Sequence, residues 1–302
     1  MRTRSVIAAA GGLTAIAAGA LAYASLWERV RYTLRRYDVP VLAEDAEPLR
    51  ILQVSDLHMT PGQHGKQEWV ASLAALDPDL VLLTGDNLAH PDAVPSVLTA
   101  LAPLLKLPGA FVFGSNDYYG PVLKNPFSYF NRDPNRQPIT GPDLPWQDLQ
   151  AALEAAGWVN LNNARTTVIA GGRRIELVGV DDPHIDRDDY ASVAGPVSPD
   201  ADVHIGVTHS PEPRVLDRMA ADGFELLVAG HTHGGQVCVP WYGALVTNCG
   251  LSRDMARGLH RYGPPEHRSW LHVSAGLGTS PYAPFRFACP PEASVLTLVS
   301  RG

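Results

Sequence analysis

Ile51-Leu52-Gln53-Val54-Ser55-Asp56-Leu57-His58 is the stretch on which the reading of the fold turns. Its apolar start, Ile51–Val54, reads as a buried β-strand and runs into a carboxylate and an imidazole two residues apart. If the chain stays extended there, both side chains leave on one side and can chelate one ion together. The arrangement recurs. Leu80–Leu83 leads to Gly85-Asp86-Asn87, and Ala110–Phe113 leads to Gly114-Ser115-Asn116-Asp117. Val203–Val207 leads to Thr208-His209-Ser210, and Leu226–Ala229 to Gly230-His231-Thr232-His233. Strand ends that all carry carboxylate, imidazole or amide groups predict one shared site at one edge of a sheet, where open α/β sheets gather their ligands.

Between these strands, Gln67–Leu76 and Pro91–Leu105 read as helices, which predicts β-α-β units and a largely parallel sheet. Pro95 and Pro103 make the second helix irregular or split. Further helices are predicted at Trp146–Ala156 and at Pro211–Ala221, the latter with Pro near its first turn. Val159–Leu161, Thr166–Ala170 and Arg174–Val180 read as short strands, with Gly171-Gly172 as a hairpin signal. Late strands fall at Gln236–Val239, Trp270–Ser274 and Ser294–Leu298. The expected fold class is α/β, two packed β-sheets flanked by helices, over residues 50–302, preceded by a connector at 28–49.

Residues 114–147 read as a long ordered loop near the site, with many aromatics among Pro and Asn. Its Tyr118, Lys124 and Arg132, with Arg136, either grip a phosphate or lipid head group or form a solvated loop edge.

The 302 residues are 45% hydrophobic, enough for a full core, and carry a net charge of −7. No basic domain or stripe stands out, so tight nucleic-acid binding is not expected. The three cysteines, Cys238, Cys249 and Cys289, are too irregular for a disulfide framework or a thiolate zinc site. Ser5–Trp27 contains no charged residue and follows Arg2 and Arg4. It is long enough to be a single N-terminal membrane anchor. The alternative is a secretory signal, cleaved near Ala20-Leu21-Ala22 or Ala22-Tyr23-Ala24. Arginines on both sides of the run leave orientation open.

Oxygen and imidazole ligands without thiolate point to Mn, Fe or Zn. A carboxylate such as Asp86 has two oxygens and can bridge two ions. Two ions roughly 3.5–4 Å apart can activate a water and stabilise both the attacking and leaving oxygens of a phosphoryl displacement.

The order Asp-x-His, Gly-Asp, a Gly-Asn-His-like segment, an isolated His and Gly-His-x-His resembles the calcineurin-like metallophosphoesterase family over roughly residues 50–300. Gly230-His231-Thr232-His233-Gly234-Gly235-Gln236 is similar to a membrane-associated bacterial branch of it. So are Ala275–Ser280, Arg286 and Cys289-Pro290-Pro291-Glu292. The resemblance implies two packed sheets with outer helices and two divalent metal ions. It implies that Asp56, His58 and His233 hold the first ion and that Asp86 bridges. His209, His231 and an Asn of the third motif would hold the second.

That third motif departs from the family. Where Gly-Asn-His is usual, this chain has Gly114-Ser115-Asn116, followed by Asp117. Aligned without gaps, the ligand Asn becomes Ser115 and the acid His becomes Asn116. Asn116 is expected to reach the second ion through a local shift of the turn. It cannot supply a proton near neutral pH. Asp117, Tyr118, His184 and His64 are candidates to compensate, and Asn87 is expected to orient water or phosphate. The activity implied is phosphoester hydrolysis, on a phosphodiester or pyrophosphate that is a small molecule or lipid- or envelope-linked. The alternative is a metal-binding protein of this fold with weak or lost catalysis.

Overall fold

Continuous apolar runs make strands that are buried on both faces, and here they form the middles of two mixed sheets. The computed structural model describes residues 16–123 and 140–301. The first sheet has the order β1 (Thr33–Leu42), β14 (Glu292–Ser300), β2 (Leu49–Val54), β3 (Leu80–Leu83), β4 (Gly109–Phe111), β5 (Val159–Asn160). The second has the order β12 (Gly258–Tyr262), β13 (Ser269–Val273), β9 (Leu226–Ala229), β8 (Val203–Val207), β7 (Arg173–Gly179), β6 (Ala164–Ala170). Strands β2 to β5 are parallel to one another, as are β7, β8, β9 and β13. A small hairpin, β10 (Cys238–Val239) and β11 (Gly243–Ala244), stands apart.

Alternation along each strand divides the core. Ile51, Leu80, Leu82 and Leu296 face Leu177, Ile205, Val207 and Val228 of the other sheet, all fully buried. Their neighbours Leu52, Val54, Val81 and Leu83 point outward, under helices His64–Ser72, Val94–Leu101 and Trp146–Ala155. Helix Pro213–Asp222 covers the far side of the second sheet with Val215, Leu216, Met219 and Ala220. Each buried Val, Leu, Ile or Met among them contributes about 1.5–3 kcal/mol by leaving water. Because β2, β3, β8 and β9 are parallel within their sheets and the sheets are stacked, all their carboxyl ends open on one rim.

Two sequence expectations meet a different outcome, and one strand was not expected at all. The stretch 28–49, read as a connector, contains β1, which pairs in parallel with β14 from Thr33↔Glu292 onward. Strand β12 was not foreseen either. The N-terminal membrane anchor is corrected. Residues 1–15 lie outside the described residues, and among those described no helix is long and apolar enough to cross a membrane. Residues 16–22 are helical, and the chain then turns through Tyr23–Trp27 and Glu28–Val30. This turn docks on the body: Ala24 is buried, and the Glu28 carboxylate accepts from Cys289 N at 2.6 Å. Only Ala24 and Glu28 are buried at this contact, while Ile16, Leu21, Leu26 and Trp27 stay exposed.

Candidate metal centre

The ligand-bearing residues do not stay extended beyond their strands. Asp56, His58, Asp86, His231 and His233 all have left-handed backbone, with φ between 39° and 69°. Such a conformation costs a non-glycine residue roughly 1 kcal/mol or more and collects at functional sites. It is held by bonds between the two loops beyond β2 and β3: Asp56 N to Gly85 O and His58 N to Asp86 O, both 2.9 Å. Close approach of backbone makes the remaining room. A Cβ on Gly114 would lie 2.4 Å from Asp86 Oδ1 and 2.5 Å from His209 Nε2. Gly276, at φ +66°, packs where a Cβ would meet Asp56 Cβ at 2.5 Å. The tail 275–280 thus wraps Asp56, with Gly278 N donating to Asp56 O at 2.6 Å.

Asp56, His58, Asp86 and His233 each turn one donor atom into a common space, all within 4.8 Å of one another. His58 Nε2 lies 3.1 Å from His233 Nε2 and 3.4 Å from Asp86 Oδ2, and His233 Nε2 lies 3.6 Å from Asp56 Oδ1. This group could hold a metal ion. Beside it, His209 Nε2 lies 3.3 Å from Asp86 Oδ1, buried and without a hydrogen-bond partner. The His209 ring is oriented by Nδ1, which donates to Thr84 O at 2.7 Å and leaves Nε2 facing Asp86, to be occupied by a proton or by a cation. His231 is held by Asn248, whose backbone O lies 3.1 Å and whose side-chain Nδ2 lies 3.3 Å from its Nε2. Its ring sits edge-on to His209, 5.2 Å between centroids.

Electrostatics suit a cation. Burial pushes the His58 pKa down to about 4, and burial with the neighbouring imidazoles holds His231 and His233 well below the ordinary value. These three are neutral near neutral pH. Asp86 is held well below the usual carboxylate range: burial opposes ionisation, and His209 overrides it. Burial pushes Asp56 up to about 6. His209 is burdened by burial but held well above its ordinary value by Asp86, so a proton takes the place a cation would fill.

The other predicted residues fall in different places. Asn116 lies against Asp86: its backbone N–H donates to Oδ1 at 2.7 Å and its amide to Oδ2 at 2.8 Å. Ser115 lines the same cleft. Asp117 is fully buried behind the loops, accepting from Asp86 N at 2.9 Å, Asn87 N at 2.8 Å and Gly114 N at 2.9 Å. Its oxygens are occupied, which makes it a positioning residue rather than a proton donor to substrate. Asn87 is also fully buried, with its amide towards Asp117, and does not line the cleft. The Tyr118 hydroxyl donates to Asp181 at 2.7 Å and its ring lies under Arg187, 4.0 Å away. Tyr119, not Tyr118, lines the cleft. Lys124, Arg132 and Arg136 lie outside the described residues. His184 stands on the cleft wall with its ring 4.5 Å from that of His231, whereas His64 is exposed at the start of a helix.

The cleft holds about 150 Å³ and is also lined by Gln236, Asn248 and Ser280. Sequence reading missed Asn248, which follows no strand and carries no motif. It missed the mechanical part of Arg286 too. That side chain is fully buried and donates to Ala275 O at 2.7 Å, Gly276 O at 3.1 Å and Gly278 O at 2.7 Å. It fixes the tail that wraps Asp56.

Comparison with known proteins places this geometry. The family described as calcineurin-like phosphoesterase matches residues 49–235. The uncharacterized metallophosphoesterase YkuE of Bacillus subtilis is 26% identical, covering 97% of this chain and 93% of its own length. The UDP-2,3-diacylglucosamine pyrophosphatase LpxG of Chlamydia trachomatis is 26% identical, covering 87% of each chain. The phosphodiesterase YaeI of Escherichia coli is 25% identical, covering 89% of this chain and 88% of its own.

Proposed function

This chain belongs to the calcineurin-like phosphoesterase family and is a phosphoester hydrolase; from that premise we propose that it works with two divalent metal ions on a phosphodiester or a pyrophosphate. The observation that carries the reading is Asp86. One of its oxygens faces His58 and the other faces His209, so it stands between two sets of ligands. Asp56, His58 and His233 would hold the first ion, and His209 and His231 the second, with Mn, Fe or Zn suited to the donor set. Bound there, the ions supply Lewis acidity to the phosphoryl oxygens and lower the pKa of water to near neutrality.

The chain's own residues do the rest. Asn116 holds both oxygens of Asp86 in place with two N–H groups. In that pose its amide nitrogen, not its oxygen, faces the site, so ligation would require the amide to turn. Asp117 holds the loops carrying Asp86, Asn87 and Gly114. None of these gives up a proton to a leaving group. A phosphate leaving from a pyrophosphate needs none, which favours pyrophosphates and activated esters. The name of the LpxG relative supports a pyrophosphate bond in a lipid-bearing substrate.

The test is hydrolysis by the full chain loaded with Mn, on an activated phosphodiester and a nucleotide-sugar pyrophosphate. Activity that disappears in Asp86→Ala supports the reading. Equal activity in both proteins overturns it. A second reading, a metal-binding protein with lost catalysis, is favoured by the Asn at 116. Two bound ions without turnover on either substrate would select it.

A further inference from the structure

A second cleft lies at the opposite end of the sandwich. Leu298, near the end of β14, pairs with Leu49 at the start of β2, the strand whose other end leads to Asp56. Trp270, near the start of β13, pairs with Leu226 at the start of β9. Around these strand ends Arg261, Arg268, Arg301, Trp270 and Glu225 line a cleft of about 440 Å³. That is within the range that accepts a small molecule.

Its charge is out of balance. Three guanidiniums meet one carboxylate, although the chain as a whole carries −7. Glu225 is already shared: it pairs with Arg301 and with His204 Nδ1 at 3.2 Å. Arg261 lies over the Trp270 ring at 3.6 Å, and Arg268 has no ion pair among the described residues. The Arg261 pKa is lowered, by burial and then by the charges of Arg268 and Arg301. Independently, Trp270 Nε1 is buried and has no acceptor among the described residues. An indole N–H can only donate. Guanidinium forks match paired oxyanion oxygens. We infer that this cleft is an anion site for a phosphate-bearing ligand, separate from the metal centre.

The source is either a free phosphate compound or a phospholipid head group, and two measurements tell them apart. In the first, pyrophosphate is titrated into the full chain carrying Asp86→Ala, in EDTA, so that the metal centre contributes nothing. One saturable site is expected, weakened about tenfold or more by Arg268→Ala with Arg301→Ala. In the second, the same proteins are sedimented with phosphatidylcholine vesicles, with and without phosphatidylglycerol. Arginine-dependent binding to the anionic vesicles alone assigns the head group. Arginine-dependent binding of pyrophosphate assigns the free compound. Unchanged melting temperatures of the arginine variants show that the fold is kept, and the single variant Arg268→Gln gives a milder check. Absence of saturable binding in both measurements, or binding indifferent to the arginines, overturns the inference. Neither result depends on whether the metal centre is catalytic.

Discussion

His58 Nε2 and His233 Nε2 face each other at 3.1 Å, joining the loop beyond β2 in one sheet to the loop beyond β9 in the other. Both imidazoles are neutral near neutral pH because burial disfavours their charge. At that distance one neutral ring can donate to the other, and a cation held by both lone pairs would replace that hydrogen bond. On the proposed reading the contact would act as a clasp between the sheets that a cation closes. Saturating Mn should raise the melting temperature by several degrees, in line with roughly 3 kcal/mol at a hundredfold excess over Kd. His58→Ala should lose the shift and most of the bound metal, read by calorimetry and elemental analysis. A full shift in His58→Ala would refute the clasp.

The missing acid can be restored. Ser115→Asn with Asn116→His recreates the usual family segment next to Asp86. General acid help is worth about 10²–10⁴-fold where the leaving group needs a proton. The gain should appear on alkyl phosphodiesters and be small on nitrophenyl esters, whose leaving groups depart unaided. A uniform gain on both classes would point to better metal binding instead.

Arg286 is the internal brace of the tail that wraps Asp56. Arg286→Met removes the donors of three buried carbonyls, those of Ala275, Gly276 and Gly278. Loss of a buried charged donor with several partners should cost about 3 kcal/mol or more in denaturant melts. Metal occupancy should fall as well, although Arg286 is not a ligand. Normal occupancy at reduced stability would confine Arg286 to the fold.

His204, at the far end of β8, gives a pH signature away from the metal. Its pKa is raised by a hydrogen bond to Glu225, against burial and helped by Ser198 O. A raised histidine pKa means the folded state holds the proton more tightly. The added stability is complete below the ordinary histidine value and is lost as pH rises through the raised one. His204→Gln should therefore cost roughly 1 kcal/mol in mildly acidic urea melts, after solvent screening, and much less at alkaline pH. An equal cost at both ends would show that the ion pair contributes nothing.

Much of the fold was legible because the apolar runs are local signals. Leu80–Leu83 and Val203–Val207 are strands from end to end as read, and the helix after Pro91 breaks near Pro103. The edge strand β1 was not legible. Arg35, Arg36 and Asp38 interrupt its apolar pattern and Pro40 falls within it, as edge strands allow. What defines it is pairing with β14, more than 250 residues away. Asn248 and the brace formed by Arg286 were hidden for the same reason, since their partners are brought in from distant segments.

The sequence by itself determined the strands, their helical partners and the kinds of donor at each strand end, because alternation and residue chemistry are properties of short stretches. Only the tertiary structure decided how those donors converge. Left-handed turns at Asp56, His58, Asp86, His231 and His233 replaced the extended backbone expected there. It also decided that Asp117 and Tyr118 turn inward as supports, with every polar atom engaged by other loops. Burial and hydrogen bonding across the two sheets set these directions, and neither is carried by neighbours in the chain.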